Sequence, residues 1–283
     1  MDNKFLITQI QEFMDKADKK EHEKTSFWAT DTEKPLFDLY HNWIGTESTN
    51  PIEAEKLMMF NAGKMMEESL VQILNKMGKL EEVEEGQHRI EMERYGVPIS
   101  GYMDGLLKGN IPLEIKSFYG DYQTRELKEG KPKTSYLKQL AIYMDAQDAT
   151  VGKLIYIHRG TGEIFEFTLL RGDGNNYKCM NVQFNLDDVY TRWKNLYNNN
   201  ILTKQEPMPD KKYKYPVDTI DWSKVSKSDI SKARNNRKVI GDWEVLYSSY
   251  KQLYIEREKT CLGYTEEELE KIKEATKGYS TWK

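Results

Sequence analysis

The sequence predicts a mixed α/β protein, with a central mixed β-sheet flanked by helices. A Leu- and Met-rich segment, 56–78, has the apolar spacing of a long helix. Residues 87–118 then read as strands, and 135–146 is again helical. This order of helix, strand meander and helix, followed by a hairpin and more helices, indicates a layered α/β architecture with helical additions before and after the core.

The strand meander contains three predicted strands, 87–95, 99–107 and 111–118. Lys108-Gly109-Asn110 separates the second strand from the third and has the composition of a tight turn, so these two strands should form a hairpin. The polar segment that follows, 120–133, contains Gly and Lys and is expected to be a loop.

The rest of the chain is expected to be a second hairpin and then mostly helix. The predicted hairpin joins 153–158 to 163–169. The later predicted segments are a helix at 176–199, a linker with three prolines at 204–216, and helices near 242–258 and 265–276. We expect one domain over 1–283, with a catalytic core at about 55–170, a helical start, and a helical C-terminal extension at about 205–283.

Composition restricts the class of protein. Charged residues make up 31% and apolar residues 38%, which predicts a soluble globular protein, and no apolar run approaches the length that spans a bilayer. The first four residues lack a signal-peptide pattern. The chain has two cysteines, Cys179 and Cys261, which excludes a disulfide framework and a four-cysteine iron–sulfur site, so a reducing, cytoplasmic setting is expected.

The net charge of −4 argues against a large non-specific DNA-binding surface. It leaves room for a local basic channel, because lysines and arginines cluster in three places. The alternative is that each cluster is a solvated face. The clusters are Lys128, Lys131, Lys133 and Lys138; Lys211, Lys212 and Lys214; and Lys232, Arg234, Arg237 and Lys238.

The first hairpin brings two carboxylates together. If Leu107 pairs with Ile111, Asp104 lies opposite Glu114, with Cβ atoms about 4.5–5.5 Å apart. Lys116 shares the face of Glu114, because side chains alternate along a strand. Two such carboxylates repel unless a cation lies between them, which predicts a Mg²⁺ or Mn²⁺ site and metal-dependent phosphodiester cleavage. The alternative is an ordinary surface hairpin with a Glu–Lys pair.

The helix after this hairpin carries polar groups on one face. Gln139 and Tyr143 are one turn apart, and Tyr136 lies about one turn before Gln139. A Gln and a Tyr on one stripe can hydrogen-bond a phosphate or steady a carboxylate. Alternatively, their tips are solvated on an amphipathic helix.

These three motifs, taken in order, resemble the RecB-type branch of the PD-(D/E)xK nucleases, which includes phage exonucleases. The branch also carries Gly-x-x-x-His on an upstream helix, and Gly63 to Glu67 match its spacing, with Glu in place of His. The motifs that carry the resemblance are Gly101-Tyr102-Met103-Asp104-Gly105, Pro112-Leu113-Glu114-Ile115-Lys116 and Gln139-Leu140-Ala141-Ile142-Tyr143. The resemblance implies a restriction-endonuclease-like core.

The helical wheel of 56–78 favours Glu67 over Glu68 as the helix carboxylate. At about 100° per residue, Glu67 falls in the middle of an apolar stripe, whereas Glu68 falls on the polar side near Lys64. A buried carboxylate needs a partner, which a metal would supply. The alternative is that Glu67 lies at a helix end or pairs with a lysine. The proposed stripe consists of Met59, Gly63, Leu70, Leu74 and Met77.

One feature departs from the family pattern. Several RecB-type nucleases hold an iron–sulfur cluster through cysteines, some of them in a C-terminal stretch that resembles the one starting at Trp243. Here Val245, Ser248 and Tyr254 stand where those cysteines would be. We therefore expect a version of the family without the cluster.

The resemblance implies a Mg²⁺- or Mn²⁺-dependent DNA exonuclease of recombination or repair type, derived from a phage or mobile element. One or two ions would be held by Asp104 and Glu114, with Glu67 and the carbonyl of Ile115. Lys116 would position or help to deprotonate the attacking water. The residues expected to hold DNA or support the ligands are Gln139, Tyr143 and Tyr136, with Lys128, Lys131 and Lys133 on the phosphate backbone.

Two alternatives stay open. The first is a structure-specific endonuclease. The second is a catalytically silent fold of the same kind that binds DNA or a protein. The implied partners are DNA and a single-strand annealing or other recombination protein, with no membrane, and a homo-oligomer is left open.

Overall fold

The computed structural model describes residues 9, 24–50, 54–82 and 88–279. The helical pattern expected at the start of the chain lies outside these residues, apart from position 9. The chain divides into two compact units. One comprises Met1–Glu33 and Ile52–Gln205, and the other comprises Lys34–Pro51 and Glu206–Lys283. The segment Glu206–Lys283 of the second unit thus starts next to residue 205, where we expect the C-terminal extension to begin.

The strands are β1 (Phe27–Trp28), β2 (His88–Arg94), β3 (Val97–Met103), β4 (Gly105–Leu107), β5 (Ile111–Phe118), β6 (Val151–His158), β7 (Ile164–Arg171), β8 (Asn176–Cys179) and β9 (Val182–Asn185). The α-helices are α1 (Leu36–Trp43), α2 (Ala54–Lys76), α3 (Asp121–Lys128), α4 (Thr134–Ala146), α5 (Asp187–Leu196), α6 (Lys227–Arg234), α7 (Trp243–Leu246), α8 (Lys251–Arg257) and α9 (Glu266–Ala275). Short 3₁₀ segments and a π-helical turn after α5 complete the described part.

The first unit is built on two sheets. A three-stranded sheet has the order β1-β3-β2, and a six-stranded sheet has the order β4-β5-β6-β7-β8-β9. In the larger sheet β5 and β6 are parallel, and the other neighbours are antiparallel. The parallel pair requires a crossover, which α3 and α4 provide. The predicted mixed sheet with flanking helices is therefore confirmed.

Strand β5 is covered on both faces. Leu113 and Ile115 point to one face, where they pack in a cluster with Leu70 and Leu74 of α2. The alternate residues point to the other face, where α4 packs against β5, β6 and β7. Helix α4 buries much of its surface there, through Leu137, Leu140, Ala141, Ile142 and Met144. This burial on both faces fixes the direction of every side chain on β5.

The predicted strand 99–107 is wrong in one respect, because it breaks at Asp104. Residues before the break belong to β3 in the smaller sheet, and residues after it belong to β4 in the larger sheet. The hairpin register itself is as predicted, since Leu107 pairs with Ile111. Gly109 and Asn110 form the turn with φ of +91° and +59°, a conformation that suits glycine and asparagine. Asp104 therefore lies at the junction of the two sheets.

Two further predictions are wrong. The segment expected to be a loop, 120–133, contains α3, because one buried side chain, Leu127, anchors a helix with an acidic start and a basic end. The segment expected to be one helix, 176–199, begins with the hairpin β8–β9, and its helical pattern holds only for α5. Alternate burial at Tyr177 and Cys179 is the strand signal that the helical prediction overlooked.

The second unit has its own core. Phe37 of α1 packs with Tyr254 of α8, their ring centroids 4.6 Å apart, and Tyr254 donates a hydrogen bond to Asp38 at 2.7 Å. Val245 and Tyr254 are completely buried, and the Ser248 hydroxyl accepts a hydrogen bond from the Tyr250 amide. The positions compared with cluster cysteines thus serve packing and hydrogen bonding. No helix within the described ranges is long and apolar enough to cross a bilayer.

Candidate active site

A cleft of about 1000 Å³ opens in the first unit beside the C-terminal half of β5. Its lining combines acidic and polar side chains with basic and aromatic ones. The acidic and polar residues include Glu67, Glu68, Gln72, Asn75, Glu81, His88 and Asp104. The basic and aromatic residues include Phe60, Lys64, Lys116, Tyr119, Lys133, Tyr136 and Arg159.

Two carboxylates occupy the open edge of β5 where β4 ends. Asp104 accepts a hydrogen bond from the Ile115 amide at 2.7 Å, and Glu67 accepts one from the Ser117 amide at 2.9 Å. Alternate residues of a strand direct their backbone groups to the same edge. The Ile115 carbonyl therefore opens toward the edge that both carboxylates line.

Helix α2 can bring Glu67 this close because Gly63 lies one turn earlier. A Cβ atom at Gly63 would be 2.6 Å from the Ser117 hydroxyl, closer than side chains pack. Glu68 is exposed and lies 3.8 Å from Lys64, whereas Glu67 faces β5. The apolar face of α2 differs from the predicted stripe, since Met59 and Met77 are exposed and Met66, Leu70, Val71 and Leu74 pack inward.

Glu114 is the most buried of the carboxylates, at 1% exposure. It forms an ion pair with Lys116, and its oxygens accept no other hydrogen bond among the described residues. Burial raises the pKa of Glu114 to about 8, and the nearby Asp104 raises it as well, while Lys116 opposes the shift. A buried carboxylate with so few donors favours a cation beside it.

The pKa values of Asp104 and Lys116 are also shifted by burial and by the neighbouring charges. Burial raises the pKa of Asp104 to about 6, partly offset by Lys116 and by the Ile115 amide. For Lys116, burial favours the neutral amine, but the Glu114 and Asp104 carboxylates outweigh burial and raise its pKa. Lys116 is therefore protonated at neutral pH.

Tyr136 contacts two ammonium groups in the cleft. The Nζ atoms of Lys116 and Lys133 lie 5.3 Å and 5.5 Å from the centre of its ring. Such contacts with an aromatic face attract cations and hold them near each other. Tyr136 and Lys133, two of the residues predicted to contact DNA, thus line the cleft, and that contact stays a prediction.

Lys128 and Lys131 lie elsewhere. Lys128 is 3.2 Å from Glu163, and Lys131 is 2.5 Å from Glu129, and neither lines the cleft. Lys128 is the last residue of α3, and Lys131 lies in the segment between α3 and α4. Their predicted contact with the DNA backbone has no support from this geometry.

Gln139 and Tyr143 are buried beneath the site and do not line the cleft. The Gln139 amide donates to the Tyr143 hydroxyl at 2.9 Å, and that hydroxyl donates to the Tyr102 carbonyl at 2.9 Å. Tyr102 lies two residues before Asp104. The two side chains thus tie α4 to the strand that delivers Asp104. Their predicted role in supporting the metal ligands stays a prediction.

Sequence reasoning missed Arg159, Tyr119 and Phe60. Arg159 follows β6 directly, and it appeared only as part of a hairpin turn. Because β5 and β6 are parallel, with Phe118 beside His158, their C-terminal ends meet at one edge of the sheet. Ligands of open sheets commonly bind at such ends, so the parallel pairing was the signal that could have found Arg159.

The donor set fits a hard divalent cation. Among residues 24–50, 54–82 and 88–279, no three His, Cys, Asp or Glu side chains converge closely enough to hold a metal alone. Mg²⁺ commonly binds through one or two carboxylates and completes its shell with water and substrate phosphate. The buried Glu114, with Asp104 beside it and a backbone carbonyl at the same edge, meets that requirement.

Comparisons with known proteins add little. No family model matches the chain, and no curated protein matches it. The crystal structure of SSO0001 is 18% identical, with a TM-score of 0.44 over 73% of this chain and 88% of that one. An alkaline exonuclease (LHK-Exo) from Laribacter hongkongensis is 18% identical, with a TM-score of 0.38 over 65% of this chain and 89% of that one. The crystal structure of LHK-Exo in complex with dAMP is 17% identical, with a TM-score of 0.37 over 64% of this chain and 88% of that one. These values carry no argument about activity.

Proposed function

We propose that the protein is a divalent-cation-dependent nuclease that hydrolyses phosphodiester bonds of DNA in recombination or repair. The observation that carries the proposal is the buried Glu114–Lys116 pair beside Asp104, with Lys116 and Asp104 lining a cleft that also carries further basic side chains. Burying two carboxylates and an ammonium group costs free energy. Such buried charged groups are typical of active sites, where they stabilise charge that develops during the reaction.

The chain's own residues divide the work. Asp104 and Glu114 would hold the cation, with Glu67 and the Ile115 carbonyl as further oxygen donors at the same edge. A bound Mg²⁺ or Mn²⁺ would polarise the phosphate and lower the pKa of the attacking water. Glu67 also fixes the end of β5, through its bond from the Ser117 amide.

Lys116 acts as a charged group in this proposal. Its raised pKa keeps the ammonium protonated, so it donates hydrogen bonds to a water or phosphate oxygen and offsets negative charge. The sequence left open whether this lysine positions the water or takes its proton. The carboxylates around it favour positioning.

The experiment is a cleavage assay on end-labelled linear DNA and on closed circular DNA, with Mg²⁺, with Mn²⁺ and with EDTA. We expect wild-type protein to degrade linear DNA only with a metal, and Asp104→Asn to lose at least about 100-fold in rate. Glu166→Gln, which changes an exposed carboxylate outside the cleft, is the matched control. Resistance of circular DNA to cleavage would establish an exonuclease, and its cleavage would establish an endonuclease. Wild-type protein that binds DNA but cleaves neither substrate would instead identify a catalytically silent fold.

A further inference from the structure

We propose that Arg159, together with the exposed rings of Tyr119 and Phe60, forms a subsite for a single-stranded segment of DNA next to the candidate active site. The inference rests on the proposed nuclease function and names its substrate class, a strand that is unpaired where it enters the cleft. Neither the motifs in the sequence nor the residues assigned to catalysis include these three side chains.

Arg159 lines the same cleft as Glu67 and Asp104. Its Nη1 donates to the Met59 carbonyl at 2.8 Å, and its backbone amide donates to the Phe118 carbonyl at 2.8 Å. These bonds fix the side chain between the N-terminal half of α2 and the end of β5. The position that a Cβ of Gly63 would take is 4.0 Å from Nη1 and 2.6 Å from the Ser117 hydroxyl. The guanidinium is thus near the residue whose amide Glu67 binds.

One donor of this guanidinium has no partner within the described part of the chain. Its Nε–H is buried and has no acceptor among the described residues, and no carboxylate within those ranges pairs with Arg159. A buried donor without an acceptor requires an explanation, and an arginine has five N–H groups in a planar fork. A phosphate has the charge and the geometry to accept from this fork.

Two exposed aromatic side chains line the cleft together with the arginine. Tyr119, at 71% exposure, follows β5, and its ring lies 5.7 Å from that of His158, the residue before Arg159. Phe60, at 60% exposure, follows the Met59 carbonyl that Arg159 binds. Both rings line the cleft. Exposed rings beside a phosphate-binding cation are the arrangement on which unpaired bases stack.

This arrangement favours a single strand over a duplex. In a duplex the flat faces of the bases are covered by their neighbours, so a protein ring can stack only on a base that is unpaired or at an end. The rings, Arg159 and Lys116 line the same cleft. A strand that places one phosphate at Lys116 would therefore have its next nucleotides within the cleft that Arg159 and the rings line.

The test measures binding separately from cleavage. Fluorescence anisotropy follows a labelled oligothymidylate of about twelve nucleotides and a blunt duplex of the same length, in Ca²⁺, with probe integrity checked on a gel. The variants are Arg159→Met, Arg159→Lys, Tyr119→Ala and Phe60→Ala. Tyr122→Ala and Arg89→Met are matched controls, because Tyr122 is 68% exposed, Arg89 is ion-paired with Glu91, and neither lines the cleft.

We expect Arg159→Met and Tyr119→Ala each to weaken oligothymidylate binding about tenfold and duplex binding less than about twofold. Arg159→Met should also reduce the slope of log K against log salt by about 0.7, whereas the ring variants leave that slope unchanged. Arg159→Lys should restore the slope but only part of the affinity, because a lysine lacks the planar fork. This variant and Tyr119→Ala keep the test decisive if Arg159→Met does not fold.

The outcomes separate the two proposals. Wild-type protein that cleaves DNA while every variant binds and cleaves like wild type would overturn the subsite and leave the nuclease proposal intact. Equal losses for single strand and duplex would also overturn it. A third outcome is that the wild-type protein binds oligothymidylate but cleaves no DNA, and that the Arg159 and Tyr119 variants lose this binding. That outcome would overturn the nuclease proposal and support the subsite. Wild-type protein that neither binds nor cleaves would overturn both.

Discussion

At the scale of single residues, burial and neighbouring charges together set the protonation states of the side chains in the site. Glu114 and Asp104 are each held at raised pKa by burial, and Lys116 keeps its charge because they surround it. In the metal-free protein this balance should appear as a dependence of stability on pH.

The sign follows from the pKa values. Folded Glu114 and Asp104 titrate at about 8 and about 6, above the ordinary value of about 4 in the unfolded chain. Between the unfolded and folded pKa values, the folded state binds more protons than the unfolded state. The contribution of the two carboxyl groups to the free energy of unfolding is therefore fully present below about pH 4 and is lost as pH rises through about 6 to 8. Lys116 is charged in both states over this range and adds no slope.

We therefore predict that in EDTA the free energy of unfolding falls by on the order of 5 kcal/mol between about pH 5 and pH 8. In Glu114→Gln the decline above about pH 6 should be much smaller. The slope is the readout, because the substitution also removes the partner of Lys116. Urea denaturation at several pH values measures it, with Glu166→Gln as a control that should keep the wild-type slope. An unchanged decline in Glu114→Gln would show that this carboxylate is not held neutral by burial.

Single-residue chemistry was partly readable from the sequence. The period of two along a strand was sufficient to place Glu114 and Lys116 on one face, and turn composition gave the register that brings Asp104 near them. Arg159 was not readable in this way, because its position depends on which strands pair. A turn residue gives no local sign of its neighbour across a parallel pair.

At the scale of elements, Asp104 depends on α4 for its position. The Tyr143 hydroxyl bridges Gln139 and the Tyr102 carbonyl, and so connects the helix to the end of β3. Asp104 follows at the point where the chain leaves one sheet and enters the other. The bridge restricts that junction.

We predict that Tyr143→Phe lowers the free energy of unfolding by about 1–3 kcal/mol, because it leaves a buried amide and carbonyl without their partner. It should also lower kcat while leaving KM nearly unchanged, since Tyr143 does not contact the cleft. Tyr177→Phe is the matched control. The Tyr177 hydroxyl is buried and has no hydrogen-bond partner among the described residues, so its removal should be neutral or stabilising. A Tyr143→Phe protein as stable and active as wild type would rule out the bridge.

Elements were predicted best where their pattern was long. Helix α2, the two hairpins and α4 followed from periodicity and turn composition. The break at Asp104 was missed, because residues 99–107 keep a strand pattern on both sides of it. Helix α3 was missed because its sequence is polar and its stability depends on one buried leucine. The hairpin β8–β9 was missed because its strands are only four residues each.

At the scale of the whole chain, the second unit is assembled from two distant segments. Residues 34–51 contribute Phe37 and Asp38, whose partner Tyr254 lies in the C-terminal segment. The predicted division into a core and a C-terminal extension does not indicate that residues 34–51 belong to the second unit. This assembly arises because the apolar face of α1 is completed by residues more than two hundred positions away.

We predict that a chain ending at Gln205 will not behave as a stable core. Its segment 34–51 would expose Phe37, which is buried in the full chain, and leave Asp38 without its hydrogen bond. Size-exclusion chromatography should show aggregation, and co-expression of residues 206–283 as a separate chain should restore a soluble species. A monodisperse, cooperatively melting protein of residues 1–205 would contradict this dependence.

The most direct test of the central claim is the single-turnover rate at which the protein cleaves end-labelled linear DNA in Mg²⁺, compared between wild type and Lys116→Met. Lys178→Met, an exposed lysine of the same sheet outside the cleft, is the control. We predict a loss of about 1000-fold or more for Lys116→Met and less than about twofold for Lys178→Met. Cleavage by Lys116→Met at the wild-type rate would contradict the assignment of this cleft as the active site.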